Sequence, residues 1–364
     1  MAVMSNTDGI LQYYLPSQLS KKRLDRYLSA GWFRTVNMLF RAKITCFEND
    51  ICSPINIRIK LSDHVFSKRL RKLLKRNNQL FRYEILKASI TPQKQEMFNR
   101  QQGRFRSFLC NNLEEFLVLT HRFDTYEINV YDGERLVAVS FFDEGHNSLM
   151  SLLGLFDLSY SSHSLGIYTM LLEIEHAKNT NRDWYYPGYV HEKPSMYDYK
   201  LRLGKAEVYD WDSRRWLKNR DAHQMPNWAD RIKERNKSLE KMLRGMGIIC
   251  QQKVYLFFGW HYFNPMYEQL FRCPLMLLLP DGRVLAYDAE IEQYVCVKLE
   301  LYVPFRDIQM AVAPDFDPSC HYIDVMKVAE VQHQTADETE MTAFVWQTTH
   351  YVQMVNTRPV PNYL

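Results

Sequence analysis

A chain of 364 residues with 46% apolar content is long enough for two or three packed units and too apolar for a disordered one. Its 46 Lys and Arg stand against 42 Asp and Glu, a net of +4, so no global field draws it to nucleic acid and such binding has to come from a local patch. Met1 to Ile10 lacks the charged start and apolar stretch of a secretory leader, and no window approaches the ~18 apolar residues of a membrane span, which predicts a cytoplasmic protein without a membrane partner.

The elements divide by pattern into 1–115, 116–216 and 217–364. In the first segment Ser67 can cap a helix whose Leu70, Leu73 and Leu74 form an apolar stripe, with Asn77-Asn78 as its stop. Gln95 to Leu119 reads as a second helical stretch interrupted near Gly103. From Tyr126 the period switches to two: Tyr126 to Tyr131, the Asp132-Gly133 turn and Leu136 to Phe142 form a hairpin, because Asp-Gly tolerates the positive φ of a tight reversal. A strand over Ser148 to Phe156 follows, then a helix carrying Ile167, Met170, Leu171, Ile174 and Ala177 at 3.6-residue spacing, then an aromatic strand from Trp184 to Val190.

Hairpin, strand, helix, strand resembles the order of an acetyltransferase-like (GNAT) sandwich, so the fold class expected is α+β: a mixed sheet between helices. A basic N-terminal region precedes it and a small α/β-rich extension follows. Asn219 to Pro226 reads as a linker and Trp228 to Met246 as a charged helix. Leu275 to Leu279, Val284 to Tyr287 and Tyr294 to Val303 read as a β-rich unit, and Val355 to Leu364 as a loose tail.

Chemistry concentrates between His163 and Lys200. Ser164 before Leu165 and Gly166 is a good helix cap, and the exposed amides of that first turn suit a phosphate or a developing oxyanion; an ordinary capped helix fits the same residues. An acetyl-CoA enzyme normally carries Arg/Gln-x-x-Gly-x-Gly/Ala at this point, which His163 to Ile167 lacks, so no pyrophosphate cofactor is expected. In Tyr185-Tyr186-Pro187-Gly188-Tyr189, Pro187 cannot donate to a ladder and Gly188 adds no side chain, which predicts a strand splayed at its middle. Two of these tyrosines also suit a buried core. Asp198-Tyr199-Lys200 then supplies an acid, a hydroxyl and an amine.

Between Arg58 and Arg76 lie Arg58, Lys60, Lys68, Arg69, Arg71, Lys72, Lys75 and Arg76 against one acid, Asp63. Such a face binds phosphodiester backbone by counterion release, although charge runs also serve as soluble surface. The seven cysteines, an odd number from Cys46 to Cys320, are expected to be reduced. Cys46 and Cys52 are spaced too widely for a usual zinc knuckle, and no metal site is expected.

Four stretches resemble the aminoacyl-tRNA protein transferases, which move arginine, or leucine in the bacterial branch, from tRNA onto a protein's amino terminus. Gly31-Trp32-Phe33-Arg34-Thr35-Val36-Asn37-Met38-Leu39-Phe40-Arg41 follows the family's Gly-Phe-Arg-Arg-Ser-Gly-Asn-Tyr-Leu-Tyr-Arg. Cys52-Ser53-Pro54 and the basic run ending Lys75-Arg76-Asn77 are similar to two further motifs. Phe156-Asp157 with Ser164-Leu165-Gly166-Ile167-Tyr168 resembles its Phe-Asp-Pro and Ser-Leu-Gly-x-Tyr. Tyr186 to Tyr189 and Tyr199-Lys200 look like its Tyr-Leu-Gly-Tyr and Tyr-Lys. The likeness spans about residues 12 to 216. Gln12 stands where the family has a cysteine and Asn56 where it has an arginine.

The resemblance implies aminolysis of an ester joining an amino acid to the tRNA 3′ adenosine, with aminoacyl-tRNA and an acceptor protein beginning with an acidic residue as partners; no cofactor is expected, the cysteine that helps hold a metal or iron-sulfur centre in some members being absent at Gln12. It implies catalytic roles for Ser164, Gly166, Tyr168, Tyr189 and Lys200. Arg34, Arg41, Arg58, Lys68, Arg69, Arg71, Lys72, Lys75 and Arg76 would bind tRNA or the acidic acceptor. His163 and Asp157 are placed to accept a proton. An acetyl-CoA-dependent acetyltransferase and a non-catalytic RNA-binding protein are the alternatives.

Overall fold

The computed structural model describes residues 3–4, 9–101, 112–117, 122–262, 267–303 and 316–356. The chain forms two units, the first taking in Leu11–Lys43 and Cys52–Pro226, the second Asp8–Ile10, Ile44–Ile51 and the chain from Asn227.

The first unit begins with β1 (Val3–Met4), β2 (Leu11–Leu15), α1 (Lys21–Ser29), β3 (Phe33–Thr35) and β4 (Met38–Ala42), whose strands make a four-stranded sheet in the order β1-β2-β4-β3. Between α1 and β3, Gly31 takes φ +77, and a Cβ there would meet the Tyr209 ring at 2.6 Å, so this turn requires glycine. Next in the chain is a short hairpin of β5 (Thr45–Phe47) and β6 (Asp50–Cys52), which through Ile51 belongs to the second unit. Then come β7 (Pro54–Lys60), α2 (Lys68–Leu80), β8 (Arg82–Lys87), α3 (Pro92–Gln101), α4 (Leu113–Leu117), β9 (Thr125–Asp132), β10 (Arg135–Glu144) and β11 (Ser148–Phe156). A 3-10 turn, Leu158–His163, leads to α5 (Leu165–Asn179), β12 (Trp184–His191), a second 3-10 turn at Asp198–Arg202, β13 (Ala206–Asp210) and β14 (Arg215–Leu217).

The main sheet has eight strands in the order β14-β13-β7-β12-β11-β10-β9-β8, antiparallel except for the β11–β12 pair. Successive side chains of a strand face opposite ways. Ala138 and Phe142 of β10 therefore pack with Leu165, Tyr168, Leu171 and Leu172 of α5 and Leu70 and Leu74 of α2, whereas Val139 and Phe141 pack with Met97 and Phe98 of α3 and Leu113 and Leu117 of α4. This is the α+β sandwich with the GNAT-like element order read from the residues. The sheet is assembled across residue 115, because β7 pairs with both β12 and β13.

The Asp132-Gly133 reversal is present, with Arg135 opposite Asp132 and Gly133 at φ +58. β8 was not legible as a strand: four of its six residues are exposed at the sheet edge, so alternation is weak there. The helical stretch from Gln95 to Leu119 is two helices, α3 and α4, and Gly103 lies outside the described residues.

The second unit carries α6 (Trp228–Gly245), β15 (Gln251–Tyr255), β16 (Leu275–Leu278), β17 (Arg283–Asp288), β18 (Gln293–Leu301), β19 (His321–Tyr322), β20 (Met326–Thr335) and α7 (Glu338–Asn356). Its six-stranded sheet runs β19-β15-β16-β17-β18-β20. The expected loose tail is helical as far as Asn356, and 357–364 lie outside the described residues. Among the described residues no helix is long and apolar enough to cross a membrane.

Candidate active site

The site starts where two strands part. β11 and β12 pair in parallel at Ser148–Trp184, Leu149–Tyr185 and Met150–Tyr186. Beyond this, β11 stays with β10 through a bulge, Ser151 facing Phe142 and Leu153 facing Phe141, which leaves Leu152 as the extra residue. On the other side, β12 slips against β7 between Tyr185 and Gly188. Pro187 has no amide hydrogen to offer and Gly188 sits at φ +99, a conformation open to glycine, so β12 turns away at the predicted place. Ser151–Phe156 and Pro187–His191 are therefore no longer paired with each other, and the gap between these two stretches is the candidate crevice.

Lys200 lies on the 3-10 turn beside β12 and is buried. Its Nζ donates to the Tyr189 carbonyl at 2.9 Å and stands 4.7 Å from the Tyr197 ring centre and 5.2 Å from that of Tyr189. Among the described residues no carboxylate pairs with it. Loss of water pushes its amine down to about 7. A Cβ on Gly188 would stand 3.3 Å from Nζ, so the glycine gives the amine room at the kink.

Tyr189 belongs to the same cluster. Its ring centre lies 4.9 Å from Phe33, 5.6 Å from Tyr197 and 5.8 Å from His191, and burial raises its phenol. Burial and the neighbouring Lys200 amine hold His191 down to about 4. His223 Nε2 lies 3.2 Å from Asp198 Oδ2, so that acid is engaged.

At the start of α5 the expected capping bond is absent. Ser164 adopts the left-handed conformation, φ 51 and ψ 46, and its hydroxyl caps nothing. It is exposed, and its carbonyl accepts from the amides of Ile167 and Tyr168 at 3.1 and 3.0 Å. The first amides of a helix have no partner within it, but Leu165 is fully buried, so of the first two residues only the half-buried Gly166 reaches the surface. Gly166 brings the turn against Phe156, whose Cε1 would be 3.4 Å from a Cβ.

Tyr168 is fully enclosed, and its hydroxyl donates to Asn78 Oδ1 at 2.7 Å. It braces α5 against α2 and does not line the crevice. Asp157 caps the preceding 3-10 turn, accepting from the Ser159 amide at 3.0 Å, and that bond with the Arg135 guanidinium holds its carboxyl below the ordinary range. It is a poor proton acceptor. His163 packs edge-on to Phe81 at 5.2 Å, with its Nδ1 buried and without a hydrogen-bond partner.

The cations divide into two groups. Lys68, Arg69, Arg71, Lys72, Lys75 and Arg76 are all exposed on one side of α2, and no carboxylate pairs with them among the described residues. Ser67 caps that helix, accepting from the Leu70 amide at 3.3 Å. The predicted stop at Asn77-Asn78 is instead a dock: Asn77 is buried, and its Nδ2 donates to the His163 carbonyl at 2.8 Å.

Arg34, Arg41 and Arg58 are not available as expected. Arg34 is buried in an ion pair with Asp143, Nη1 to Oδ1 at 2.8 Å, and donates also to Thr125 Oγ1 at 2.7 Å and to the Val36 carbonyl at 2.9 Å. Arg58 reaches Glu207 Oε2 at 2.7 Å and lies 3.7 Å over the Trp184 ring. Arg41 donates to Gln12 Oε1 at 2.8 Å and to the Ala30 carbonyl at 3.0 Å. The two departures from the family pattern are thus built into the packing, Gln12 through Arg41 and Asn56 through its bond to the Gly31 carbonyl.

Two polar residues at the crevice escaped the sequence reading. Glu173 is fully buried on α5, and Ser151, half-buried on β11, donates to it at 3.3 Å. The signal was present: Glu173 follows Met170 by three and precedes Ile174 by one, an acid on the apolar stripe. Among the described residues no group of three or more His, Cys, Asp or Glu could hold a metal ion.

The family model of the arginine-tRNA-protein transferase C terminus matches residues 79–210, which run from the end of α2 through the crevice to β13. The aspartate/glutamate leucyltransferase of Leptospira interrogans is 25% identical over 222 residues, covering 58% of this chain and 84% of that protein. The protein of the same name from Helicobacter hepaticus is 26% identical over 234 residues, covering 62% and 92%. Among solved structures, a GCN5-related glucosamine N-acetyltransferase region of a fungal multi-domain β-N-acetylglucosaminidase is similar at TM-score 0.31 and 11% identity, over 54% of this chain and 23% of that one, too loosely to argue from. The family model over residues 79–210 and these relatives support a place among the aminoacyl-tRNA protein transferases.

Proposed function

We propose that this protein transfers leucine or arginine from aminoacyl-tRNA to the α-amine of an acceptor protein whose first residue is acidic, marking that protein for degradation in the cytoplasm. The observation that carries the reading is the Lys200 amine, buried without a carboxylate beside the kink at Gly188. An acidic side chain entering there would supply the missing countercharge and restore the ammonium. The name aspartate/glutamate leucyltransferase, carried by both relatives, agrees with such an acceptor.

The ester of an aminoacyl-tRNA is already activated, so orientation and stabilisation of the developing oxyanion account for most of the work. The bulge at Leu152 frees backbone from the ladder at the mouth of the crevice, suiting it to that oxyanion. The first-turn amide at Gly166 would hold the terminal adenosine or its phosphate. The exposed cations of α2 would grip the acceptor stem, and Asn77 and Tyr168 tie that helix to the start of α5.

The test is incubation with labelled leucyl- or arginyl-tRNA and peptides beginning with Asp, Glu, Lys or Ala. Label on the Asp and Glu peptides is expected. Label arriving only from acetyl-CoA would replace this reading with an acetyltransferase, and tRNA retention without transfer would replace it with an RNA-binding module. Lys200→Met should raise KM for the acidic peptides at least about tenfold, the cost of one lost charge-assisted contact.

A further inference from the structure

Glu173 occupies the middle of α5 with no exposure to solvent. Its carboxylate collects hydroxyls from three neighbouring strands: Ser140 of β10 and Ser151 of β11 donate to Oε1, the latter at 3.3 Å, and Tyr185 of β12 donates to Oε2 at 2.7 Å. No lysine or arginine pairs with it among the described residues. Burial outweighs the hydroxyls and lifts the carboxyl to about 7.

Ser140 and Tyr185 are enclosed. Ser151 is half-buried, one residue past the last β11–β12 pair and next to the bulged Leu152. Its hydroxyl reaches Glu173, and its backbone lies where β11 leaves β12. An uncompensated buried carboxylate is costly, and a neutral glutamine could tie helix to sheet at lower cost.

We propose that Ser151 and Glu173 form the proton path of the transfer reaction, Ser151 Oγ meeting the attacking amine and Glu173 serving as the proton reservoir behind it. The proposal rests on the transferase reading above. The neutral α-amine attacks the ester carbonyl carbon, forming the C–N bond. As nitrogen loses its proton to Ser151 Oγ, the serine passes its own to Glu173 Oε1. Collapse of the tetrahedral intermediate breaks the C–O bond to the ribose, and the proton returns by the same route to the departing ribose oxygen. Glu173 and Ser151 end as they began.

The groups facing Glu173 are the Ser140, Ser151 and Tyr185 hydroxyls. Beyond them, Tyr199 lies near Tyr185, and His176, further along α5, is 2.9 Å from Glu144 of β10, which also holds Lys21 and Arg182. Of these, only Glu173 places a carboxyl behind Ser151.

The experiment is single-turnover transfer from saturating leucyl- or arginyl-tRNA to a Glu-initiated peptide between pH 5.5 and 9. The peptide amine titrates at about 7.7–8.0, so the wild-type rate should rise through two limbs, the lower near 7. Glu173→Gln should melt like the wild type, retain tRNA, lose about 100-fold or more in rate and lose the lower limb alone. Ser151→Ala should lose a similar factor, whereas Ser140→Ala, which removes a donor enclosed away from the crevice, should stay within about threefold. Ser151→Ala at the wild-type rate, or Glu173→Gln with both limbs intact, would overturn the proposal. If Glu173→Gln does not fold, Ser151→Ala decides. Absence of transfer by the wild type with either donor would overturn the transferase reading as well; transfer by the wild type and by Ser151→Ala alike would overturn only this one.

Discussion

The Tyr168 hydroxyl donates to Asn78 Oδ1 at 2.7 Å, linking the first turns of α5 to the last turn of α2. The crevice and the exposed cationic face are thereby held in one frame. Tyr168→Phe removes one hydrogen bond of about 0.5–1.5 kcal/mol while keeping the buried ring. The expected outcome is a lower melting temperature and weaker tRNA retention, with the transfer rate at saturating tRNA unchanged. A large loss of that rate would return Tyr168 to the reaction itself.

Arg34 and Asp143 form the most deeply buried ion pair of the site region, with side-chain exposures of 2% and 0%. Breaking such a pair leaves an uncompensated charge and costs about 3–5 kcal/mol. Arg34→Met should therefore shift the urea midpoint sharply, and Arg34→Met combined with Asp143→Leu should recover much of the loss. Reduced tRNA affinity at unchanged stability would instead make Arg34 a contact to tRNA.

The α2 face should act through charge alone. Each phosphate contact contributes about 0.9 to the slope of log affinity against log salt on a duplex. Replacing Lys68, Lys72 and Lys75 with alanine should flatten that slope by up to about 3 and weaken tRNA retention at physiological salt, while the unfolding midpoint moves little, because these side chains are exposed. A slope unchanged in this triple variant would remove α2 from the tRNA surface.

Lys200 has a stability signature of its own. Its folded amine titrates near 7 against an ordinary 10.5, so between those values the unfolded chain binds more protons than the folded one. Stability of the wild type should then rise with pH across that window, by up to about 1.4 kcal/mol per unit, and Lys200→Met should lack the rise and be the more stable protein below pH 7. Parallel urea titrations at pH 7 and 9 measure both effects. Identical pH dependence in the two proteins would mean that Lys200 keeps its charge in the folded state.

Much of the main sheet was legible because its cause is local. Alternation from Tyr126 onward, the glycine after Asp132 and the apolar spacing of Ile167 to Ala177 each act over a few residues. The kink at Pro187-Gly188 was readable for the same reason: proline withholds a donor wherever the strand runs. β8 passed unread because an exposed edge strand loses its alternation, and the Ser164 capping bond was misread because Ser164 is held left-handed between two helical turns.

The charges divided otherwise. Lys72 and Arg34 are equally basic in the sequence, yet one faces solvent and the other meets Asp143, 109 positions away. Glu173 and Lys200 became chemically distinctive only once buried without an opposite charge. The sequence by itself determined the periodicities, the glycine and proline breaks and the family motifs, all short-range properties of the chain. Which cations are free and which acid is poised were decided by the tertiary structure, because desolvation and pairing energies depend on neighbours that folding brings from far along the chain.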